Sequence, residues 1–408
     1  MKSKHPKIIL LGNNSGNNLG DAAIMSSIMD SVEKELPDAE FIVPSVKPSF
    51  ISENYGERYN VKAVDAMPWT GSLRLFGIPT MYHMAKSDVA LICDGIIFGK
   101  KLFNPAFNFL ITLILLLPWA KLVNCKLVCY GCGIGPFPTK ISALFAKWLM
   151  NGCDLITLRD GDSLDLAKEI GVTQEMILTA DVAPINPVSD DTVADEILAS
   201  FGIPNEQKLL GINITRYLDE WLYDEDKKLN DKQALIIEIA DSVKLANEKL
   251  GNEFKPLVFS TQPMDDDVCN KLADLLDTKL VTNSIWLSHD IQAVMKRCKL
   301  FMGMRVHSLY LSSAVGCPIL GMIYAPKVRS YLKQLKTSEL GTELVDIEKH
   351  SFSDYLVKCW QEKTNIQTKQ QKIVEEIKYQ GKRTVKLLVE RFYSDTSAAK
   401  VEKTQPVS

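Results

Sequence analysis

The 408-residue chain has no surplus of positive charge: 47 Lys and Arg stand against 50 Asp and Glu, for a net charge of -3. It therefore lacks a global electrostatic footprint for nucleic acid, which is not expected as a partner. Nor does it contain a run of the roughly 20 apolar residues that a bilayer-spanning helix needs. The longest candidate, Ala106 to Ala120, is interrupted by Asn108 and Pro118. It reads as a buried or interfacial helix, with packing in the core weighed above contact with a membrane surface. No segment resembles a cleavable signal peptide. Histidine is scarce, five in all, and no metal cluster is visible. Nine cysteines lie mostly among apolar neighbours, which suits a reducing cytoplasm. Cys125, Cys129 and Cys132 are crowded, yet the first two would sit roughly 13 Å apart along one strand, too far to share an ion, so all three read as packing residues.

What is present belongs to a globular protein of two domains. A hydrophobic fraction of 46% and a charged fraction of 24% are ordinary for such a chain, and its length exceeds one ordinary core. Lys7–Gly12, Phe41–Pro44, Val89–Cys93, Lys126–Tyr130 and Leu155–Arg159 read as buried strands with helical stretches between them. After a proline-rich, polar linker around Pro184 to Asp195, a second series follows in Leu209–Ile214, Pro256–Ser260, Lys299–Gly303 and Pro318–Met322. Helices over Lys232–Leu250 and Met264–Leu276 separate them. The fold class is therefore α/β: two doubly wound, Rossmann-like domains facing a shared cleft, with ligands bound beyond the carboxyl ends of the strands. The expected division is 1–185 and 186–365 for the two domains, 366–393 for a terminal amphipathic helix carrying Ile373, Ile377, Leu388 and Phe392, and 394–408 for a disordered tail.

Arg305 and His307 stand two residues apart in the otherwise apolar stretch Met302–Leu309, ahead of a Gly316-Cys317-Pro318 turn. A buried guanidinium is costly unless an anion or a full set of hydrogen-bond partners meets it, so the pair suggests a phosphate or carboxylate pocket with a titratable group at hand. A satisfied arginine beside a core histidine at the mouth of a helix is the plainer account. Arg216, following a strand in Thr215-Arg216-Tyr217, is the second candidate cation, with a surface ion pair to Asp219 or Glu220 as its alternative. The first βα loop, Gly12 to Asp21, is dense in glycine and asparagine, and Asn17, Asn18, Gly20 and Asp21 suit a nest of amides for an anion or sugar hydroxyls. It is neither a dinucleotide fingerprint nor a P-loop with its lysine, which disfavours NAD and ATP. For Asp21, capping the following helix is an equal alternative. Gln262, in Ser260-Thr261-Gln262-Pro263, and the loop Gly131–Pro136 also leave strand ends. Leu158-Arg159-Asp160 reads as a structural charge pair.

Taken together, Gly16–Ile24, Gly133–Pro136, Thr157–Asp160, Asp181, Met304–Ser308 and Gly316–Pro318, with Tyr324 and Lys327, resemble the polysaccharide pyruvyl transferase family, whose members resemble glycosyltransferases of the GT-B architecture. The resemblance implies transfer of pyruvate from phosphoenolpyruvate to sugar hydroxyls as a ketal, with no cofactor beyond that donor substrate. It implies donor-binding and catalytic roles for Arg216, Arg305 and His307, within 186–365, and substrate contacts for Val306, Tyr324 and Lys327. A sugar or glycan acceptor, free or lipid-linked, is the implied partner, and a lipid-linked one would bring a peripheral contact at the inner face of the membrane. One departure stands out: where the family has a glycine triplet, this chain has Cys93-Asp94-Gly95-Ile96, so the acceptor and the retention of the reaction stay open. A nucleotide-sugar glycosyltransferase and a non-catalytic glycan- or phosphate-binding protein remain alternatives.

Overall fold

The computed structural model describes residues 5–16, 18–65, 73–104, 108–218 and 231–394. Its contacts divide the chain into two compact units: 1–16, 24–185 and 377–408 form the first, 17–23 and 186–376 the second. In the first unit the strands are β1 (Lys7–Leu11), β2 (Glu40–Ser45), β3 (Val61–Asp65), β4 (Val89–Ile92), β5 (Lys126–Cys132), β6 (Leu155–Leu158) and β7 (Ile177–Leu178). They form one parallel sheet in the order β3-β2-β1-β4-β5-β6-β7. Helices α1 (Leu19–Glu35), α2 (Pro48–Tyr55), α3 (Leu73–Met84), α4 (Leu110–Leu122), α5 (Lys140–Gly152) and α6 (Gly161–Glu169) connect them. Such crossovers cover both faces, so an interior strand has to be apolar at successive positions rather than alternate ones. All of β4 and the last four residues of β1 are buried accordingly.

The second unit repeats the plan with β8 (Leu209–Asn213), β9 (Lys255–Ser260), β10 (Leu280–Thr282), β11 (Cys298–Gly303), β12 (Ile319–Ile323) and β13 (Gly341–Glu343), all parallel, in the order β10-β9-β8-β11-β12-β13. Its helices are α7 (Asp191–Ser200), α8 (Lys232–Lys249), α9 (Asp266–Leu275), α10 (Ser288–Arg297), α11 (Val306–Ala314), α12 (Pro326–Gln334), α13 (Lys349–Gln361) and α14 (Lys363–Phe392). The strand order reverses between β8 and β11, and between β1 and β4 in the first unit. A crevice opens at such a switch point because the two flanking crossovers leave in opposite directions.

Four sequence expectations change. The linker of 184–195 is largely structured: a 3₁₀ turn covers Ala183–Ile185 and α7 begins at Asp191. Asn186 Nδ2 donates to Gln292 Oε1 (2.8 Å) and Ser189 Oγ to Asp290 Oδ1 (2.6 Å), so these polar residues fasten the segment to α10. The helix expected from Ala106 starts at Leu110 and passes through Pro118, with Leu113, Leu116, Leu117 and Ala120 in the core. The terminal helix starts earlier than position 366, and its buried stripe runs through Ile366, Gln370, Val374 and Ile377, leaving Ile373 half-buried. From Ile377 onward it groups with the first unit. Finally, residues 18–23, which include the first turn of α1, group with the second unit although the chain enters them from the first. The tail beyond Ser394 lies outside the described residues.

Candidate functional site

The register of the second sheet aligns Asn213 with both Phe259 and Gly303, and Gly303 with Gly321. The residues that follow these positions therefore emerge side by side: Thr215 and Arg216, Thr261 and Gln262, Arg305, and Tyr324. Arg305 occupies the N-cap position of α11 in extended conformation and makes no side-chain cap. Its Nε instead donates to Asp265 Oδ2 at 2.8 Å, and Nη2 lies 2.7 Å from the same oxygen, off the line of a hydrogen bond. Asp265 is completely buried. Its other oxygen accepts from the Thr215 hydroxyl (3.1 Å) and the Arg216 amide (3.0 Å), so one carboxylate ties the ends of β8 and β11 together. Burial works against the charge of Arg305, but Tyr324 and then Asp265 outweigh it and raise its pKa above the usual arginine value. The guanidinium also lies 5.2 Å from the centre of the Tyr217 ring, a cation–π contact.

Below this layer, the Asn213 side chain is the hub. Its Oδ1 accepts from the Arg305 amide (3.0 Å) and Ser308 Oγ (3.1 Å), and its Nδ2 donates to the Phe259 carbonyl (2.9 Å). A buried amide with its donors and acceptors matched fixes three strand ends relative to one another.

His307 lies in the first turn of α11, its ring 5.7 Å from that of Tyr310. Gly20 packs directly on it: a Cβ built at Gly20 would fall 2.1 Å from His307 Nδ1. The Leu19 amide donates to the Thr261 carbonyl (2.9 Å), which joins the start of α1 to the end of β9. The loop 12–21 thus has two anchors. Asn14 Nδ2 donates to the Leu10 and Pro44 carbonyls (2.9 and 3.3 Å) in the first unit, whereas Leu19 and Gly20 meet Thr261 and His307 in the second.

The candidate residues differ in what they can offer. Asn18 caps α1, its Oδ1 accepting from the Gly20 amide at 3.0 Å. Asp21 is buried within the first turn. Asn17 lies outside the described residues, as do Asp219 and Glu220. Val306 is buried and can face a ligand only through its backbone at the positive end of α11. Arg216 and Lys327 are exposed at that edge, Lys327 with its Nζ 5.6 Å from the centre of the Tyr324 ring. The Tyr324 hydroxyl is buried without a hydrogen bond, and Gln262 Nε2 points toward Met264 Sδ at 3.3 Å. Sequence reasoning missed Asp265 and Asn213. Asn213 left a signal, an amide inside the apolar strand Leu209–Ile214, but Asp265 opens the acidic run Asp265-Asp266-Asp267 and looks like an ordinary helix start.

The first unit's edge is arranged differently. Arg159 Nη1 donates to Asp181 Oδ2 (3.1 Å) and Nε to Asp160 Oδ2 (3.2 Å), which makes it the structural pair read from the sequence. All nine cysteines are buried, free thiols; Cys129 and Cys153 have their sulfurs 3.6 Å apart, and burial pushes the Cys125 thiol up to about 12. The Cys132 thiol donates to the Ile92 carbonyl at 2.9 Å, which is strand packing.

These two parallel-sheet α/β units are matched by solved structures over nearly the whole chain. A UDP-N-acetylglucosamine 2-epimerase matches with TM-score 0.62 and 13% identity, covering 100% of this chain and 99% of its own. The Neisseria meningitidis UDP-GlcNAc 2-epimerase bound to UDP-GlcNAc gives 0.58 and 12%, covering 94% and 99%. A glycosyltransferase from Rickettsia africae gives 0.50 and 9%, covering 98% of each chain. At such identities the likeness concerns the fold, and the fold class is GT-B. No curated protein matches the chain in sequence. The family model of polysaccharide pyruvyl transferase matches residues 18–326, and the chain belongs to that family.

Proposed function

We propose that the chain transfers pyruvate from phosphoenolpyruvate to two hydroxyls of a sugar in a polysaccharide or glycan precursor, forming a pyruvate ketal and releasing phosphate. Family membership supports the pyruvyl class. The observation that carries the donor assignment is the convergence of Arg305, His307 and the positive end of α11 on one strand-end edge, with exposed Arg216 and Lys327 beside them. Phosphoenolpyruvate bears a carboxylate and a phosphate, two anions for two arginines. Asp265 occupies one side of the Arg305 guanidinium, which leaves the opposite N–H edge for a single anion and assigns the second to Arg216. Val306 and Gly20 contribute backbone, and Tyr324 a hydroxyl.

The reaction needs a proton added to the methylene carbon, attack of both sugar oxygens at the adjacent carbon, and departure of phosphate. Of the two hydroxyl protons lost, one balances the new methyl group and the other leaves on phosphate. His307, an imidazole beside the anion site, is the group assigned to these transfers. The test is to follow phosphate release from phosphoenolpyruvate across a panel of sugar acceptors. Phosphate released only with acceptor, and with a ketal in the product, is the expected result. Turnover of a nucleotide sugar instead, or binding without turnover of either donor, would overturn the reading.

A further inference from the structure

The helices α3, α4 and α5 lie side by side on one face of the first unit's sheet. Their inner sides build the core, through Leu113, Leu116 and Leu117 of α4 and Ala146, Leu149 and Met150 of α5. The outer sides of such a layer should be polar. On α5, however, Ile141, Leu144 and Trp148 recur at i, i+3 and i+7 and are 49, 60 and 51% exposed. On α4, Leu115 and Leu122 face outward two turns apart, and α3 adds Tyr82. Eight of the fifteen large apolar side chains exposed among the described residues fall between Ile78 and Trp148. Seven of these eight, all but Phe103, lie on the three helices, more than the scattered apolar residues any protein exposes.

The three helices themselves carry no acidic residue, and the carboxylate beside them is Asp154, just past α5, which pairs with Lys121 at the end of α4 (3.1 Å). From Gly95 to Cys153 the sequence holds six lysines and no aspartate or glutamate, in a chain where acidic residues outnumber basic ones. Lys140 directly precedes Ile141, Lys147 precedes Trp148 and Lys121 precedes Leu122. Lys86 lies 4.0 Å from the centre of the Tyr82 ring. Long lysine stems lie along apolar surface while their ammonium groups reach outward, and tryptophan and tyrosine favour an interface that is apolar on one side and wet on the other. None of the described helices is long and apolar enough to cross a bilayer.

We propose that the outer face of α3, α4 and α5 docks on the surface of a bilayer containing anionic phospholipid, with Leu144 and Trp148 entering the headgroup boundary and the lysines meeting the phosphates. The charge argument selects a bilayer over a protein partner: the three helices carry lysines and no carboxylate, and on α5 Lys140 and Lys147 stand directly beside the exposed Ile141 and Trp148. The inference does not depend on the donor assignment. It is tested by co-sedimenting the full chain with vesicles of phosphatidylcholine alone and of phosphatidylcholine mixed with phosphatidylglycerol. Binding should favour the anionic vesicles by about tenfold and fall as salt rises. Leu144→Glu with Trp148→Glu should weaken it by about tenfold or more while leaving the circular dichroism spectrum and the melting temperature unchanged. Lys140→Gln with Lys147→Gln should reduce the preference for anionic vesicles. Absence of vesicle binding, or equal binding by the double glutamate variant, would overturn the proposal. So would a dimer in sedimentation velocity that this variant abolishes, since the face would then cover a second copy.

Discussion

Each unit places a partly buried arginine just beyond its strands, and the two are almost equally enclosed: the Arg159 side chain is 15% exposed and that of Arg305 14%. Each also meets a nearly inaccessible aspartate, Asp181 or Asp265. Burial therefore does not distinguish the two arginines. The surroundings do. Arg159 contacts two carboxylates, Asp160 and Asp181, so its environment is net negative. It is also walled in, since a Cβ at Gly133 would lie 2.4 Å from the guanidinium. Arg305 contacts the single carboxylate of Asp265 and stands at the positive end of α11, one residue before Val306 and two before His307. A further anion would be repelled at Arg159, whereas the positive helix end beside Arg305 favours one.

The largest expected effect tests whether chemistry belongs to the second edge alone. His307→Gln keeps a polar side chain of similar size, and turnover at saturating phosphoenolpyruvate should fall by about two to four orders of magnitude if the imidazole moves a proton. Donor affinity and thermal stability should change little. Turnover near the wild-type rate in a folded variant would reassign His307 to positioning or packing.

The second contrast concerns stability. Asp265→Asn strands a buried guanidinium without its carboxylate and should cost about 3–5 kcal/mol in denaturant unfolding. Asp181→Asn leaves Asp160 in place beside Arg159, so about 1–3 kcal/mol is expected, the scale of one charged hydrogen bond. Phosphoenolpyruvate should restore part of the Asp265→Asn loss and none of the Asp181→Asn loss, because the donor site is proposed only at Arg305. Equal losses, with no rescue at either site, would erase the distinction between the two arginines.

The same contrast explains what the sequence could disclose. Interior strands such as Val89–Ile92 and Leu209–Asn213 are covered on both faces, and their unbroken apolar runs announce them. The four strands that no run announced, β3, β7, β10 and β13, are the sheet edges. An edge strand is paired on one side only and half-covered, and β3 shows it in Val61-Lys62-Ala63-Val64-Asp65, where Val64 alone is buried. At the site, Arg305 and His307 were legible because charge interrupts an apolar stretch. Asp265 was not, because its role depends on Arg305, forty residues away, and on the amide of Arg216. Nor could periodicity reveal that Leu19 and Gly20 join the second unit, since that follows from a glycine lying against an imidazole.

That glycine supplies a smaller test. Gly20→Ala would place a methyl group within 2.1 Å of His307 Nδ1, so the ring or the start of α1 must shift, and turnover should fall by about ten- to a hundredfold through misplacement of the imidazole. Gly161→Ala is the control in the first unit. Nothing lies within 4 Å of a Cβ there, and both turnover and melting temperature should hold or rise slightly.

The smallest effect concerns Asp94, at the switch point of the first sheet, in the segment where the family resemblance leads one to expect glycines. Asp94 has φ of +66°, the left-handed region that glycine enters without strain and aspartate tolerates. Asp94→Gly relieves that strain but also frees the unfolded chain, and the two terms, each about 1 kcal/mol, nearly cancel. The melting temperature should therefore move little. The informative reading is the acceptor KM. If the carboxylate merely fills a glycine position, acceptor KM and donor KM both stay at wild-type values, and the first edge is structural throughout. If Asp94 hydrogen-bonds the sugar, acceptor KM should rise about tenfold with donor KM and stability unchanged, consistent with loss of one hydrogen bond to a charged group. That outcome would refine the contrast between Asp94 and Arg159: at the same sheet edge, the carboxylate of Asp94 would be open to hydroxyls while the guanidinium of Arg159 is already paired.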